Sequence, residues 1–303
     1  MKRIVYMGTP EYAKIILEAI LKENEFEVTL VLTQPDRPVG RHQELTPPPV
    51  KSLALEYDLP VLQPKRLKED GIYEAITEAK PDLIVVAAFG QLLPKSILDI
   101  APCINLHASL LPLYRGASPV QQSLLNGDKF TGITAMLMEV GLDSGPVLAY
   151  RYFKIPNDMV VTNLMDRLSY DAALLTIEVL RNFENLIPLP QTGAAATHCR
   201  KIQKSDGEVD FLDASEIINK YRAFYGWPGL FLANGLKLSG LKIVDTNSNN
   251  KVGEILAIEN DSIVVGCKNG SIKISSLQPP SKKAMNAKAY LVGRGLKIGD
   301  TLI

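Results

Sequence analysis

Short β-rich apolar runs alternate with helical spacing through the first half of the chain. Arg3 to Met7 reads as a strand, Tyr12 to Lys22 as a helix and Phe26 to Leu32 as a second strand, the rhythm of a β-α-β unit. Helical spacing returns around Val50 to Tyr57 and Ile72 to Ala79. The run Leu83-Ile-Val-Val-Ala-Ala88 is continuously apolar between Pro81 and Gly90. With no polar position left to face solvent, it predicts a central strand covered on both faces. Cys103 to His107, Gly132 to Met138 and Val147 to Phe153 are further strand candidates, and Leu164, Leu168, Leu175 and Val179 mark one side of a long amphipathic helix. The pattern predicts an α/β fold built on an open, mostly parallel, Rossmann-like sheet with helices on both faces.

The rhythm breaks after Phe183, where Pro188, Pro190 and Gly193-Ala-Ala-Ala196 interrupt it. A linker is expected over 186–205, joining a catalytic domain at 1–185 to a second domain at 206–303. That second domain has one helical segment around Ala214 to Phe224. Strand-like runs follow at Leu236 to Val244, Gly253 to Ile258, Ser262 to Cys267 and Ser271 to Ser275, separated by Asn-Gly and Asn-rich turns. The expectation is a small antiparallel, OB-like β-barrel.

Composition narrows the function classes. No apolar run approaches the roughly 18 to 20 residues of a membrane helix, so no membrane partner is expected. Met1-Lys2-Arg3 leads into an apolar stretch too short for a signal-peptide core. Cys103, Cys199 and Cys267 lie too far apart for a disulfide framework or closely spaced zinc ligands, which predicts a cytoplasmic protein without a metal. The net charge of zero argues against bulk electrostatic capture of nucleic acid. The charge is unevenly divided, however: from Lys201 onward there are 14 Lys and Arg against 10 Asp and Glu, and the first 200 residues carry 19 against 23. The imbalance fits a polyanionic partner for the C-terminal part, and equally well ordinary variation between domains.

A Rossmann-like rhythm raises the question of a nucleotide cofactor, but the opening turn is Met7-Gly8-Thr9-Pro10-Glu11. Pro10 and Glu11 stand where a dinucleotide site needs close backbone approach to phosphate. The candidate chemistry lies instead in Cys103-Ile-Asn-Leu-His-Ala-Ser-Leu-Leu-Pro112. Asn105 and His107 are two apart and share a face of an extended strand, which brings an amide donor and an imidazole to one spot. Asp143 sits in a Gly-flanked loop after a later strand, where aspartate serves as a turn former or, beside an imidazole, orients the ring and raises its basicity. Ser109 lacks the flanking glycines of a hydrolase nucleophile elbow. For Trp227 and Pro228, domain packing is the expected role rather than base stacking; Lys282 and Lys283 suit either a solvated turn or phosphate contacts.

Three segments, Asn105-Leu-His107-Ala-Ser-Leu-Leu-Pro112, Gly141-Leu-Asp143-Ser-Gly-Pro146 and Ala87-Ala-Phe-Gly-Gln-Leu-Leu-Pro94, together resemble the folate-dependent formyltransferases. Thr33-Gln-Pro-Asp-Arg-Pro38 with Gly40-Arg41, Tyr225-Gly-Trp-Pro228 and Leu277-Gln-Pro-Pro-Ser-Lys-Lys-Ala-Met285 resemble the methionyl-tRNA branch of that superfamily. The resemblance implies transfer of the formyl group of 10-formyltetrahydrofolate to the amine of methionyl initiator tRNA, with catalytic residues Asn105, His107 and Asp143. It implies a folate site lined by Phe89, Gly90, Gln91 and Leu93, by Ser109, Leu110, Leu111 and Pro112, and by Met138, Glu139 and Val140. It implies tRNA contacts from Arg37 and Arg41, in a loop that the prolines of 34–49 are expected to keep free of helix and strand, and from Lys282 and Lys283 in a tRNA-binding C-terminal domain. His42, Gln43 and Glu44 make the tip of that loop less basic than the family pattern. A small acceptor would need no extra basic module, and a silent binding protein would need no intact Asn-His-Asp set. Chemically, an amide can hold a tetrahedral oxyanion, and an imidazole can either take the amine proton or donate to that oxyanion.

Overall fold

The computed structural model describes residues 1–40 and 43–302. The chain divides into two compact units: the first comprises Met1–Pro119, Lys129–Ile155 and Leu164–Arg200, and the second Val120–Asp128, Pro156–Asn163 and the chain from Lys201 onward. Among the described residues no helix is long and apolar enough to cross a membrane.

From its N-terminus the chain forms β1 (Lys2–Gly8), α1 (Glu11–Leu21), β2 (Phe26–Leu32), β3 (Arg37–Val39), β4 (Glu44–Thr46), α2 (Pro49–Glu56) and β5 (Val61–Leu62). There follow α3 (Ile72–Glu78), β6 (Leu83–Ala87), α4 (Lys95–Leu98), β7 (Cys103–His107), β8 (Arg115–Gly116) and α5 (Pro119–Leu125). Next come β9 (Phe130–Leu137), β10 (Val147–Lys154), the 22-residue α6 (Val161–Asn182) and β11 (His198–Cys199). Seven strands make one sheet in the order β10-β9-β7-β6-β1-β2-β5. The pairs from β5 to β7 are parallel, while β9 runs antiparallel to β7 and β10 antiparallel to β9.

Every residue of β6 is buried, as its unbroken apolar run demands. Alternation along the strands sends Val5, Met7, Ile84 and Val86 to one face, where they pack with Ile76 of α3 and Ile97 of α4. On the other face Tyr6 reaches α1 and donates its hydroxyl to the Ala13 carbonyl. Helix α1 buries Tyr12, Ala13, Ile16, Leu17 and Ile20, the i, i+3/i+4 stripe that its sequence spacing prescribes. Each such aliphatic side chain, fully buried, stabilises the fold by about 1.5–3 kcal/mol.

The segment 34–49 differs from expectation. Its prolines do not exclude regular structure: β3 and β4 form a two-stranded antiparallel ribbon with Arg37 opposite Thr46 and Pro38 opposite Leu45. A ribbon with one partner strand leaves alternate N–H groups facing outward, so a proline can occupy an outward position without breaking the ladder. The described residues of both strands are exposed.

The second unit contains α7 (Ala214–Ala223), β12 (Leu230–Phe231), β13 (Lys237–Asp245), β14 (Ile255–Ile258), β15 (Ile263–Gly266), β16 (Ser271–Gln278), β17 (Met285–Asn286) and α8 (Ala287–Arg294). Asp213 caps α7 by accepting from the Ser215 and Glu216 N–H groups, a contribution of about 1 kcal/mol. The strands form an antiparallel sheet ordered β12-β13-β16-β15-β14, with β17 also on β16. Its two edges, β12 and β14, are covered by short chain segments: Val209 donates to the Phe231 carbonyl, and Ile255 to the Asp300 carbonyl. Trp227, for which a domain-packing role was expected, is 60% exposed and follows a turn that holds Gly226 at φ +85°.

Candidate active site

Strand β7 brings Asn105 and His107 to one face because alternate residues on a strand point the same way. The sheet's mixed sense then decides where the third residue enters. As β9 is antiparallel to β7, the loop after β9 departs beside Cys103, with Met138 N–H donating to its carbonyl. From that loop the Asp143 carboxylate reaches back: Asn105 Nδ2 donates to Oδ1 at 3.4 Å, and His107 Nδ1 lies 3.7 Å from Oδ2. The Gly116 N–H donates to Oδ2 at 2.8 Å. On the far side of its ring, His107 Nε2 faces the Tyr114 carbonyl at 3.0 Å. A carbonyl only accepts, so Nε2 carries the hydrogen. In the neutral imidazole the lone pair therefore belongs to Nδ1, on the side of Asp143.

The surrounding loop is held by residues that sequence reasoning did not single out. Thr134, opposite His107 on β9, donates its hydroxyl to the Ser109 carbonyl and accepts from the Leu111 N–H, while Tyr150 donates to the Leu111 carbonyl. Tyr114, at φ +60°, donates its N–H to the Thr197 hydroxyl oxygen at 2.8 Å. The pairing of β8 with β11 brings Gly116 against Cys199; a Cβ at 116 would fall on the Cys199 carbonyl oxygen, and φ there is +120°. Burial, with the nearby Asp143 charge adding, pushes the Cys199 thiol above its ordinary range. Gln191 bonds the backbone of the Asp143 loop directly. None of these had a signal in the sequence, because each acts through a partner far away along the chain.

The comparisons with known proteins bear on this geometry. A family model described as formyl transferase matches residues 2–180, and one described as the formyl transferase C-terminal domain matches residues 201–295. A protein of Sulfurovum sp. named methionyl-tRNA formyltransferase is 58% identical over 301 residues, 99% of each chain. The chain belongs to the methionyl-tRNA formyltransferase family. A second member of the family, from Nitratiruptor sp., is 56% identical over 99% of each chain. Among solved structures, an N-formyltransferase from Helicobacter canadensis in complex with folinic acid and dTDP-3-aminofucose has a TM-score of 0.68 at 16% identity, covering 92% of this chain and 100% of its own. At that identity the likeness speaks to the fold.

The other residues that the family resemblance pointed to are distributed as follows. Phe89 and Leu93 are buried in the core with Met138 packed against them. Thr9 and Gln34 side chains both donate to the Phe89 carbonyl, and Gly90 takes φ +83°. Gln91 bridges Leu67 N–H and the Pro64 carbonyl through its amide. Ser109 is buried and donates to the Leu113 carbonyl; Leu111 is buried with Met136 and Val147, while Leu110 and Pro112 are half-buried. Glu139 and Val140 are exposed, as are Leu92 and Leu142. Arg37 is exposed and donates to Gln34 Oε1; Lys282 and Lys283 are exposed in the second unit. Arg41 lies outside the described residues. Among the described residues no three His, Cys, Asp or Glu side chains gather at metal-binding distance.

Proposed function

We propose that the Asn105, His107 and Asp143 cluster transfers the formyl group of 10-formyltetrahydrofolate to the α-amine of methionyl initiator tRNA, in the cytoplasm where charged tRNA is used. The observation that carries the reading is the convergence of an amide at 3.4 Å and an imidazole at 3.7 Å on one carboxylate, with the far nitrogen of the imidazole facing a backbone carbonyl, in a chain 58% identical to a protein named for this reaction.

The neutral amine attacks the formyl carbon, a C–N bond forms, and the carbonyl electron pair moves onto oxygen. Asn105 directs one N–H to Asp143 and turns the other towards that oxyanion; a preorganised donor of this kind is worth about 3–4 kcal/mol of barrier. The amine proton passes to His107 Nδ1, and the imidazolium is stabilised by Asp143. Collapse restores the carbonyl and breaks the bond to folate N10, which takes up a proton as it leaves. The base reading of His107 is supported by the Tyr114 carbonyl, which engages Nε2 and leaves Nδ1 for the proton.

The residues present fit the flat, partly apolar folate. The loops after β6 and β9 expose Leu92 and Val140, 75% and 72% accessible, so that a ring system could cover them. Phe89, Gly90, Gln91, Leu93, Ser109 to Pro112 and Met138 to Val140 would shape this site. Where side chains are already engaged, as in Gln91 and Ser109, the backbone would supply the contact. Arg37 in the ribbon, together with Arg41, Lys282 and Lys283, would hold tRNA: arginine pairs bidentately with phosphate and stacks on an unpaired base. The test offers the purified protein 10-formyltetrahydrofolate and three acceptors: methionyl initiator tRNA, free methionine and a nucleotide-linked amino sugar. Formylation of the tRNA at a kcat/KM at least about a hundredfold above the small amines is expected. Preference for a small amine would overturn the assignment.

A further inference from the structure

Asp143 is held in an unfavourable backbone state by a side chain from a distant part of the chain. Its φ is +47°, in the left-handed region that a non-glycine residue adopts only when its surroundings impose it. Gln191 Nε2 donates to the Asp143 carbonyl at 2.8 Å and to the Gly145 carbonyl at 2.8 Å, so one amide group bridges both sides of the turn. Arg115 fixes that amide's orientation, since its Nε and a terminal nitrogen both donate to Gln191 Oε1, at 3.0 and 2.7 Å. A guanidinium has no acceptor, so the amide cannot be reversed. The next residue, Gly116, donates its N–H to the Asp143 carboxylate. Residues 115 and 116 therefore grip Asp143 twice, once at the side chain and once through Gln191 at the backbone. The segment bearing Gln191 is itself fastened on both flanks, by mutual backbone hydrogen bonds between Leu189 and Val147 and by the pairing of β11 with β8.

We propose that Gln191 is a positioning residue for the reaction: it sets the Asp143 carboxylate at its place between Asn105 and His107 and touches no substrate. The proposal rests on the assignment of Asp143 to the reaction centre. Without the two hydrogen bonds, the turn relaxes from the left-handed state and the carboxylate withdraws from the imidazole. Displacement of a catalytic group by an ångström costs on the order of a hundredfold in rate.

The experiment compares Gln191→Ala, Gln191→Glu and His107→Ala with wild type, recording kcat and KM for both substrates between pH 5.5 and 8.5, with thermal unfolding as a control. Gln191→Ala should lower kcat by roughly 10- to 100-fold while KM for the formyl donor stays within about twofold. Gln191→Glu keeps the shape but sets carboxylate oxygens against the two carbonyls. Protonation returns one donor, so its kcat relative to wild type should rise as pH falls. A purely structural glutamine would show no such trend. If Gln191→Ala melts early, Gln191→Glu alone decides. Folded variants with kcat within twofold of wild type, or a loss confined to KM, or a pH-independent kcat ratio for Gln191→Glu, would overturn the proposal. His107→Ala separates the two levels: if it is active, the reaction centre itself is misassigned, and if it is inactive beside a fully active Gln191→Ala, only the positioning role fails.

Discussion

At positions 143 to 145 the chain makes a turn with no spare room. A Cβ on Gly145 would fall on the Leu137 carbonyl oxygen, beside the hydrogen bond from Leu137 N–H to the Pro146 carbonyl that closes the loop. Gly145→Ala should therefore destabilise the first unit by about 1–3 kcal/mol and lower kcat through displacement of Asp143. Thermal unfolding and steady-state kinetics on the variant check both effects, and an unchanged kcat would show that the loop tolerates movement. Asn105 and His107 were legible in the sequence because strand periodicity alone puts them on one face. Asp143 was legible from spacing only as a polar residue between glycines; its partnership with Asn105 and His107 came from the family resemblance, since the approach itself depends on β9 running antiparallel to β7. Gln191 carried no local signal at all: it lies between Pro190 and Gly193, in a stretch without helical or strand spacing. Its role exists only once residues 115, 143 and 145 surround it.

Six of the seven strands of the large sheet were read from periodicity because apolar runs bounded by Pro and Gly leave little choice, while β5, only two residues long, is too short to show a period. β6 is fully buried, as its composition requires, and α1 buries the stripe that its spacing marks. The ribbon of β3 and β4 was missed for a physical reason: proline was weighed as a breaker, whereas an exposed two-stranded ribbon has outward positions that need no N–H donor. Its exposure makes a prediction. Replacing residues 37–46 with a short Gly-Ser bridge should leave the melting temperature within about 2 °C, since little apolar area is withdrawn from water. The same deletion should raise KM for methionyl initiator tRNA at least about tenfold and leave folate affinity unchanged. An unaltered tRNA KM would return the ribbon to the status of a solvated excursion.

Across the whole molecule, the cysteines link stability to pH. Burial pushes the thiols of Cys103 and Cys267, one in each unit, up to about 12. In the unfolded chain a thiol ionises near 8.5, so the folded state holds protons that the unfolded state has released between these values. Stability is then complete below about pH 8.5 and falls as pH rises towards 12, by up to about 1.4 kcal/mol per pH unit for each thiol. Cys103→Ala with Cys267→Ala should flatten the alkaline limb of a denaturation series; an unchanged slope would mean that other groups set it. The central claim concerns the reaction centre, and single-turnover formylation tests it most directly. With enzyme in excess over radiolabelled methionyl initiator tRNA and 10-formyltetrahydrofolate saturating, product release no longer masks the chemical step. The account predicts that Asp143→Asn and His107→Ala each slow that step by roughly 10²- to 10⁴-fold, with unfolding temperature and folate affinity preserved. A folded His107→Ala protein that formylates the tRNA within about threefold of the wild-type rate would contradict it.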